Sequence, residues 1–475
     1  MNIITPEDEK WLLQKYGKAI FELKEKTISL NQRYFAARFG KLYHILYYRQ
    51  DDVLYLYNFD DGAWTPKNYE FIQEKVADML HSFASKSGCQ DQIDAKITAA
   101  FLSSVVKIMK GMYQNTNAFS ERLRGVIHCA NGMAIYDHET NKWSLHKFAP
   151  EYFSRNRNPI VFDPNATCPD FLEKLLRPAM TGDDIELLQY YFGQCLLGEN
   201  TSQTFLYCSG TASGGKSTLI NIIEGTVGRW NCTELRLEHM DGRFEIGRSS
   251  GKTLLTAKDV DSEFLSSVGA RKLKALTGND AMSLEHKNSN SVIDVIGNFN
   301  VIIVSNAQLR LEFDGDAEAW RRRILWIRFD RPPVAEKIPN FDRILLKKEG
   351  SGILNWALAG AAKLLSNGGK IVKSAEQIAK IDLLIKSANP VDVFIKLFVK
   401  PDPDATVSSS EAMFYFKCFC DVMKWPQLAD RKIQHELKEA MRSIHHASLR
   451  TDVKRQGKNV RGYYYFRVAP PVNQA

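Results

Sequence analysis

A short segment that combines glycine, lysine and serine at fixed spacing, GTASGGKS at residues 210–217, has the residue types needed to bind phosphate groups. Gly210 and Gly215 permit backbone angles that turn amide N–H groups towards phosphate oxygens. Lys216 is predicted to reach the β- and γ-phosphates, and the Ser217 hydroxyl to ligate Mg²⁺. The spacing therefore predicts a P-loop that binds ATP with Mg²⁺. The other residues of this predicted ATP site are Thr211, Ala212, Ser213, Gly214 and Thr218.

An apolar run that follows the P-loop, KTLLTA at residues 252–257, leads into several acidic side chains. A P-loop needs a carboxylate at the end of another buried strand, and Asp259 is predicted to hold the Mg²⁺ ion. Asp261 or Glu263 is predicted to orient the attacking water. The alternative is that these carboxylates belong to a solvated turn after a strand.

Two further polar signals lie beside apolar runs. NVIIVS at residues 300–305 ends in Asn306, whose amide is predicted to bridge the γ-phosphate and the acidic strand, although asparagine is also common in turns after strands. Arg321, Arg322 and Arg323 immediately precede another apolar run. They form either a solvated basic edge or, in a ring-shaped ATPase, a group that reaches the ATP site of the neighbouring subunit. We favour the second role for one of them and select Arg322 and Arg323 as the catalytic arginines.

Four apolar runs are predicted to be the strands that position these residues, at 204–210, 252–257, 300–305 and 323–329. Helical patterns separate the runs, so we expect an α/β domain with a largely parallel sheet. Elsewhere the patterns predict a helix at Glu7–Glu25, hairpins around Asp51–Asp52, and helical segments at 68–115, 170–198 and 350–387. Residues 400–410, rich in Pro, Asp and Ser, are predicted to be a linker or the approach to a helix.

The C-terminal residues are predicted to form two helices, 409–425 and 431–445, and a basic hairpin around Gly457. Between residues 450 and 467 there are six lysines and arginines and one acid, Asp452. Basic residues concentrated on a hairpin suit a winged-helix module that touches DNA phosphates. The alternative is a solvated hairpin that only packs on the body of the protein. The residues selected as DNA contacts are Lys454, Arg455, Lys458 and Arg461.

The order of P-loop, acidic strand, Asn-ended strand and arginines resembles that of superfamily 3 helicases. More narrowly, it resembles the phage/plasmid primase-helicase family, which includes the poxvirus helicase-primase. The resemblance extends over about residues 120–335 and is carried by five segments, one of which contains the P-loop itself. These are NGMAIYD at 131–137, the stretches 150–176 and 190–218, LKALTGNDAMSLEHKNSN at 273–290, and WRRRILWIRF at 320–329.

The resemblance implies a hexameric AAA+ ring that translocates on single-stranded DNA. It also implies a pore hairpin in which Lys287 contacts the DNA, with His286 beside it. Two features depart from the family pattern. Asp259 stands where a glutamate is common, and Lys258 stands where a small residue is common, so Asp259, Asp261 and Glu263 all remain open as the catalytic base. Primase activity is not expected, since residues 1–115 contain neither zinc-type cysteines nor a clear acidic metal triad.

The chain is predicted to divide into five parts. These are a mixed α/β N-terminal domain (1–115), a helical collar region (116–198), an AAA+ ATPase domain (199–335), a helical segment (336–398) and a winged-helix-like basic domain (399–475). The predicted fold class is α/β, with a P-loop ATPase core of the AAA+ type.

Composition limits the partners and the compartment. The 475 residues carry a net charge of +8, which favours a polyanionic partner such as nucleic acid. The eight cysteines include no C-x-x-C pair, so a zinc ribbon is not expected. No signal peptide or membrane span is visible, and a cytoplasmic protein of a bacterial host cell is expected.

The predicted function is an ATP-dependent DNA helicase that acts as a homo-hexamer on single-stranded and forked DNA. It would serve the replication of a phage, plasmid or other mobile element, with a possible separate primase or polymerase as partner. The alternatives are a DNA-binding initiator whose ATPase does not unwind processively, and a P-loop phosphotransferase.

Overall fold

The computed structural model describes residues 3–22, 27–119, 123–236, 239, 245–260, 267–285, 292–306, 317–330, 338–388, 390–423, 425 and 427–469. Within these residues the chain is a mixed α/β protein whose largest sheet has five parallel strands. None of the helices that they form has both the length and the apolar character needed to cross a lipid bilayer.

The N-terminal elements surround a main core of aromatic and aliphatic side chains and a smaller, mostly aromatic cluster. The helix predicted at Glu7–Glu25 is wrong in its second half, because Gly17 takes φ 80° after Tyr16 and a strand begins at Ile20. The hairpin around Asp51–Asp52 is confirmed, with Tyr48 opposite Val53. In chain order the elements are α1 (Pro6–Tyr16), β1 (Ile20–Glu22), β2 (Ile28–Leu30), α2 (Gln32–Leu42), β3 (Ile45–Tyr48), β4 (Val53–Tyr57), β5 (Trp64–Lys67), α3 (Tyr69–Ser87), α4 (Gln90–Asp94) and α5 (Ala99–Met112).

A three-stranded antiparallel sheet and a group of helices follow. The elements are β6 (Val126–Cys129), β7 (Gly132–Asp137), β8 (Lys142–His146), a π-helix (Phe171–Leu176), α6 (Arg177–Ala179) and α7 (Gly182–Leu197). The helical segment predicted at 170–198 is confirmed in type but not in continuity. Its first turns are π-helical, and it is interrupted at Met180, where the backbone is extended.

The parallel sheet contains all four strands that the apolar runs predicted, each within two residues of its predicted start. The strand order is β10–β11–β14–β9–β15. Almost every side chain of β9, β11, β14 and β15 is buried, as expected where helices cover both faces of a parallel sheet. The elements are β9 (Phe205–Gly210), α8 (Lys216–Val227), β10 (Cys232–Glu234), β11 (Leu254–Ala257), α9 (Ser267–Thr277), β12 (Ala281–Glu285), β13 (Val292–Ile296), β14 (Asn300–Ser305), α10 (Ala317–Arg323) and β15 (Ile324–Phe329).

Two helices after the sheet complete its layers, α11 (Phe341–Ser366) and α12 (Ala375–Ala388). The single helical segment predicted at 350–387 is therefore two helices. α11 packs with α7 and α8 on one face of the sheet, and α12 packs with α9 and α10 on the other. α7 and α11 cross closely, because a Cβ at Gly193 would lie 2.1 Å from the amide nitrogen of Ala361.

The C-terminal unit has its own core and a three-stranded antiparallel sheet in the order β16–β18–β17. The prediction of a linker or helix approach at 400–410 is wrong for most of its length, since the chain forms a strand up to Ser408 and a helix only from Ser409. The elements are α13 (Pro390–Phe398), β16 (Val399–Ser408), α14 (Ser409–Met423), α15 (Asp430–His445), β17 (Arg450–Arg455) and β18 (Lys458–Val468).

Candidate nucleotide-binding site and basic C-terminal face

The loop at residues 210–217 joins β9 to α8, as the spacing of its residues predicts. Gly210 has φ 134°, and a Cβ at this position would lie 2.3 Å from the carbonyl oxygen of Phe329. Gly215 has φ 93° and is the N-cap residue of α8. Among the described residues, no side chain accepts a hydrogen bond from the first amides of this helix. Because helix N-termini carry unpaired amide donors and a partial positive charge, this end of α8 suits an anion.

Lys216 is folded back over this loop. Its Nζ donates hydrogen bonds to the carbonyl oxygens of Gly210 and Thr211, at 2.7 Å each. The side chain is 5% exposed, and burial is the main cause that lowers the pKa of its ammonium group. The carboxylate of Asp259 acts in the opposite direction, which places it within electrostatic reach of Lys216. The ammonium group thus lies where it can turn to a bound phosphate.

The turn after β11, residues Lys258–Val260, is called the acidic turn below. Asp259 has φ 54°, which is uncommon for a residue other than glycine. The turn is fastened to the end of β14, because the Val260 amide donates to the Val304 carbonyl at 3.0 Å and the Ser305 hydroxyl donates to the Val260 carbonyl at 2.6 Å. Asp261 and Glu263 lie outside the described residues.

The strand order explains how the predicted residues meet. β14 lies between the P-loop strand β9 and the acidic strand β11, all three run parallel, and Asn306 follows β14 at the same edge. A cavity of about 670 Å³ opens there. Of the predicted site, Asp259, Asn306 and residues 212–218 line the cavity, whereas Gly210 and Thr211 do not. The structure thus brings a lysine, a hydroxyl, a carboxylate and an amide together around one space.

A further part of the cavity lining, called the apolar wall below, was not identified by the sequence reasoning. Leu175, Pro178 and Ala179 of this wall come from the π-helix and α6, Ile338 precedes α11, and Phe341 is the first residue of α11. Lys174 lines the cavity beside them. Leu175 also touches the P-loop, since a Cβ at Gly215 would lie 3.3 Å from its Cδ1. The one available signal was Pro178 inside a predicted helix, because such a proline interrupts regular helical hydrogen bonding. The cavity therefore has both a polar lining, from the P-loop, Asp259 and Asn306, and an apolar lining.

The three arginines lie in the last turn of α10, and none is among the described residues that line the cavity. Arg321 forms ion pairs with Glu318 and Asp382 at 2.6 and 2.7 Å. Arg322 is exposed, and Arg323 is half-buried and donates to the Ala319 carbonyl at 3.2 Å.

A half-buried lysine contacts the C-terminal end of α10. Lys373 donates to the carbonyl oxygens of Arg321 and Arg322 at 2.7 and 3.0 Å. Burial lowers the pKa of Lys373 to about 8. These contacts fix the backbone that presents the arginines, while the Arg322 side chain points away from the chain's own core.

The two residues predicted to contact DNA in a pore hairpin, His286 and Lys287, lie outside the described residues. The strands on either side of them, β12 and β13, pair antiparallel, with Glu285 opposite Val292. The segment thus contains an antiparallel pair of strands, and the pore hairpin and its DNA contacts stay a prediction.

The basic hairpin predicted at the C-terminus is formed by β17 and β18. Lys454, Lys458 and Arg461 are exposed on it. Arg455 is held internally instead, by an ion pair with Glu411 at 2.8 Å and a hydrogen bond to Thr406 at 2.7 Å. The Arg455 hydrogen bond is the main cause that lowers the pKa of Glu411 to about 2.

A second basic surface, which the sequence reasoning missed, lies on α15. Its inner face is buried in the C-terminal core through Ile433, Leu437, Ala440 and Met441. The residues three, four, seven and eleven positions after Arg431 lie with it on one side of the helix, away from that core. Here they are all polar or basic and all exposed: Arg431, Gln434, His435, Lys438 and Arg442. This spacing was a readable signal in the sequence.

Comparison with known proteins shows a similarity of fold. Residues 208–323 match a family described as of unknown function, DUF5906, and this match covers less than half of the chain. No curated protein sequence matches significantly. Two apo structures of the NrS-1 C-terminal region align with 91% of this chain and 98% of theirs, with TM-scores of 0.50 and 0.51 and identities of 11% and 10%. At this identity the likeness concerns the fold, which the chain shares with that region over nearly its whole length.

Proposed function

We propose that this chain is an ATP-driven DNA helicase subunit of the AAA+ type, similar to superfamily 3 helicases. The observation that carries the proposal is that residues 212–218, Asp259 and Asn306 line the same cavity of about 670 Å³. A lysine, a hydroxyl, a carboxylate and uncapped helix amides are the groups that bind and hydrolyse a nucleoside triphosphate.

The polar and the apolar lining of the cavity suit the two parts of ATP, its phosphates and its base. The amides at the start of α8 and the Lys216 ammonium would bind the β- and γ-phosphates. Leu175, Pro178 and Phe341 offer apolar surface on which a nucleobase can stack, since its faces are only weakly hydrated. The glycines at 210 and 215 allow the positive φ values of the loop, and a Cβ at Gly210 would collide with the Phe329 backbone.

The donor set beside the phosphates also fits Mg²⁺, which prefers oxygen ligands and keeps several waters. The Ser217 hydroxyl and the Asp259 carboxylate would hold the ion. When bound, Mg²⁺ neutralises charge on the phosphates during transfer. Asn306 would lie between the γ-phosphate and the acidic turn, where its amide can orient the attacking water. Asp259, Asp261 and Glu263 remain the choices for accepting the proton.

We assign Arg322 as the arginine that completes a neighbouring subunit's site. Arg321 is occupied by two ion pairs within its own chain. Arg322 is exposed and its backbone is held by Lys373. A guanidinium supplied in trans accelerates phosphoryl transfer by roughly 10³- to 10⁵-fold in characterised ATPases and GTPases. The functional form would therefore be a ring, for which a homo-hexamer is proposed.

The DNA-contacting surfaces are proposed to be the β12–β13 hairpin with Lys287, and the exposed faces of α15 and the β17–β18 hairpin. The α15 face carries Arg431, Lys438 and Arg442 beside a glutamine and a histidine that can reach base edges. These same surfaces favour the second candidate function, a DNA-binding initiator that does not unwind processively.

A strand-displacement assay tests the proposal and separates the two candidates. Wild-type protein with ATP and Mg²⁺ is expected to displace one strand of a forked substrate with a 3′ tail, and Lys216→Ala is expected to displace none. DNA-stimulated ATP hydrolysis without displacement would favour the initiator. A chain that stays monomeric with ATP and DNA, and whose ATP hydrolysis ignores DNA, would contradict both candidates.

The α15 surface has a matched control on α11. Lys438→Ala/Arg442→Ala is expected to lower DNA affinity by about tenfold near 0.1 M salt. The slope of log K against log salt is expected to fall by about 2, for two lost phosphate contacts. Arg343→Ala/Lys347→Ala removes the same charges at the same spacing from an exposed face of α11. An equal loss in both variants, measured by fluorescence anisotropy, would contradict the assignment.

A further inference from the structure

An ion pair between a buried glutamate and an exposed lysine connects the P-loop helix to the acidic turn. Glu224 lies in α8, two helical turns after Lys216, and is 6% exposed. Its carboxylate lies 3.0 Å from the Lys258 ammonium and accepts a hydrogen bond of 2.7 Å from the Thr256 hydroxyl. Lys258 immediately precedes Asp259, so the pair joins the element that binds phosphate to the residue proposed to bind the metal.

A carboxylate this buried requires a cation, because an unpaired charge in a protein interior is strongly unfavourable. Lys258 is the close partner, and the Arg229 guanidinium lies farther off, at 3.8 Å. The Lys258 ammonium is also 3.5 Å from the side-chain oxygen of Asn221, which stands on the same face of α8. These contacts hold Lys258 against α8 in one orientation.

The acidic turn is thereby anchored on both sides of Asp259. Lys258 is held to α8, and Val260 is held to the end of β14 by the Val304 carbonyl and the Ser305 hydroxyl. Asp259 between them takes φ 54°, a left-handed conformation that is unfavourable for most residues with a Cβ and more accessible to aspartate. The contacts on both sides of Asp259 hold the turn in this conformation.

We propose that Lys258 is a positioning residue for the metal carboxylate, acting through Glu224. The pair sets how far the Asp259 carboxylate stands from the Ser217 hydroxyl, because Ser217 and Glu224 belong to one rigid helix. This inference rests on the proposed function of the cavity. Lys258 itself is not among the residues that line the cavity, so its effect is on Mg²⁺ and not on the phosphates directly.

The test measures binding of a non-hydrolysable ATP analogue by calorimetry, in EDTA and across a Mg²⁺ titration. Lys258→Met is expected to bind the analogue in EDTA within about twofold of wild type, because the P-loop is untouched. In this variant, the Mg²⁺ concentration that produces half of the Mg²⁺-dependent gain in analogue affinity is expected to rise by about 10- to 100-fold. Losses of this size are found when other residues that orient metal ligands are replaced. Lys258→Arg, which keeps the charge, is expected to stay close to wild type.

Two controls separate positioning from general loss of structure. Lys252→Met removes another lysine near the start of β11, whose ammonium donates to the Trp230 carbonyl at 2.7 Å, and it is expected to leave the Mg²⁺ response unchanged. Lys258→Met/Glu224→Gln removes both charges, so that no unpaired carboxylate remains to unfold the protein. It is expected to show the same weakened Mg²⁺ response as Lys258→Met.

A lower melting temperature with an unchanged Mg²⁺ titration, in both the single and the double variant, would overturn the inference while leaving the proposed function intact. Failure of the wild-type chain to bind the analogue in a Mg²⁺-dependent manner would overturn both.

Discussion

The P-loop and the acidic turn are two short turns at the same edge of the same sheet, and both require backbone with positive φ. The P-loop has positive φ at Gly210, Ser213 and Gly215, with values of 134°, 65° and 93°. The acidic turn places an aspartate, Asp259, at φ 54°. In the P-loop two of the three positions are glycines, which adopt this conformation without strain, whereas the acidic turn relies on contacts with other elements.

The two turns differ in which residues determine their conformation. Glycine tolerates positive φ without help, so the conformation of the P-loop depends largely on its own residues. Asp259 depends on Glu224, Val304 and Ser305, which lie far from it in the chain. The first turn is expected to be sensitive to its own residues, and the second to the residues that anchor it.

The largest effect is expected from Asp259→Gly, which removes the carboxylate and relieves the backbone. ATP turnover is expected to fall by about 10³-fold, through loss of a metal ligand. The free energy of unfolding is expected to rise by about 0.5 to 1 kcal/mol, because glycine accepts the left-handed conformation. Enzyme assay and thermal unfolding measure the two changes. Asp259→Asn should lose turnover equally without the gain in stability, and substantial turnover in Asp259→Gly would contradict its role.

The converse substitution, Gly210→Ala, is expected to destabilise the protein by about 2 to 4 kcal/mol, since positive φ and contact with the Phe329 carbonyl both oppose a Cβ. Gly111→Ala is the matched control. Gly111 lies in α5 with no atom within 4 Å of an added Cβ. Alanine there is expected to stabilise the protein by about 0.5 to 1 kcal/mol. Similar unfolding midpoints in urea for the two variants would refute the stated role of Gly210.

The smallest effects are expected from two serine-to-alanine substitutions, one beside each turn. Ser305→Ala removes a hydrogen bond that anchors the acidic turn, and Ser209→Ala removes the acceptor of a 2.8 Å bond from the Trp326 indole, at the end of the P-loop strand. Each is expected to lower the free energy of unfolding by about 1 to 2 kcal/mol. Only Ser305→Ala is expected to slow ATP turnover, by several-fold. Equal turnover in the two variants would erase the contrast between the turns.

Much of the site could be predicted because its signals are local. The spacing of Gly210, Gly215 and Lys216 is one such signal, and the apolar runs of β9, β11, β14 and β15 are another. The apolar wall could not be predicted, since Leu175 and Phe341 reach the cavity only through the packing of helices distant in sequence. Nor does any local pattern show that Glu224 and Lys258 form a pair.

Two other differences have specific causes. β16 was not predicted because Pro401 and Pro403 argue against a strand. β16 is an edge strand, however, where a proline removes no hydrogen bond that the sheet needs. The predicted first helix ran past Gly17 because the polar and apolar residues after it continue a helical spacing. The exposed basic face of α15, in contrast, could have been predicted, since the spacing of its basic residues is visible in the sequence.

The most direct test of the account is the rate of ATP hydrolysis with Mg²⁺ and saturating single-stranded DNA, for wild-type protein, Lys216→Ala and Lys252→Ala. Wild type and Lys252→Ala are expected to hydrolyse ATP at similar rates that DNA increases. Lys216→Ala is expected to lose turnover by about 10²- to 10³-fold, because the cation that meets the γ-phosphate is gone. Hydrolysis that is absent from the wild type, or that persists in Lys216→Ala, would contradict the assignment of this cavity.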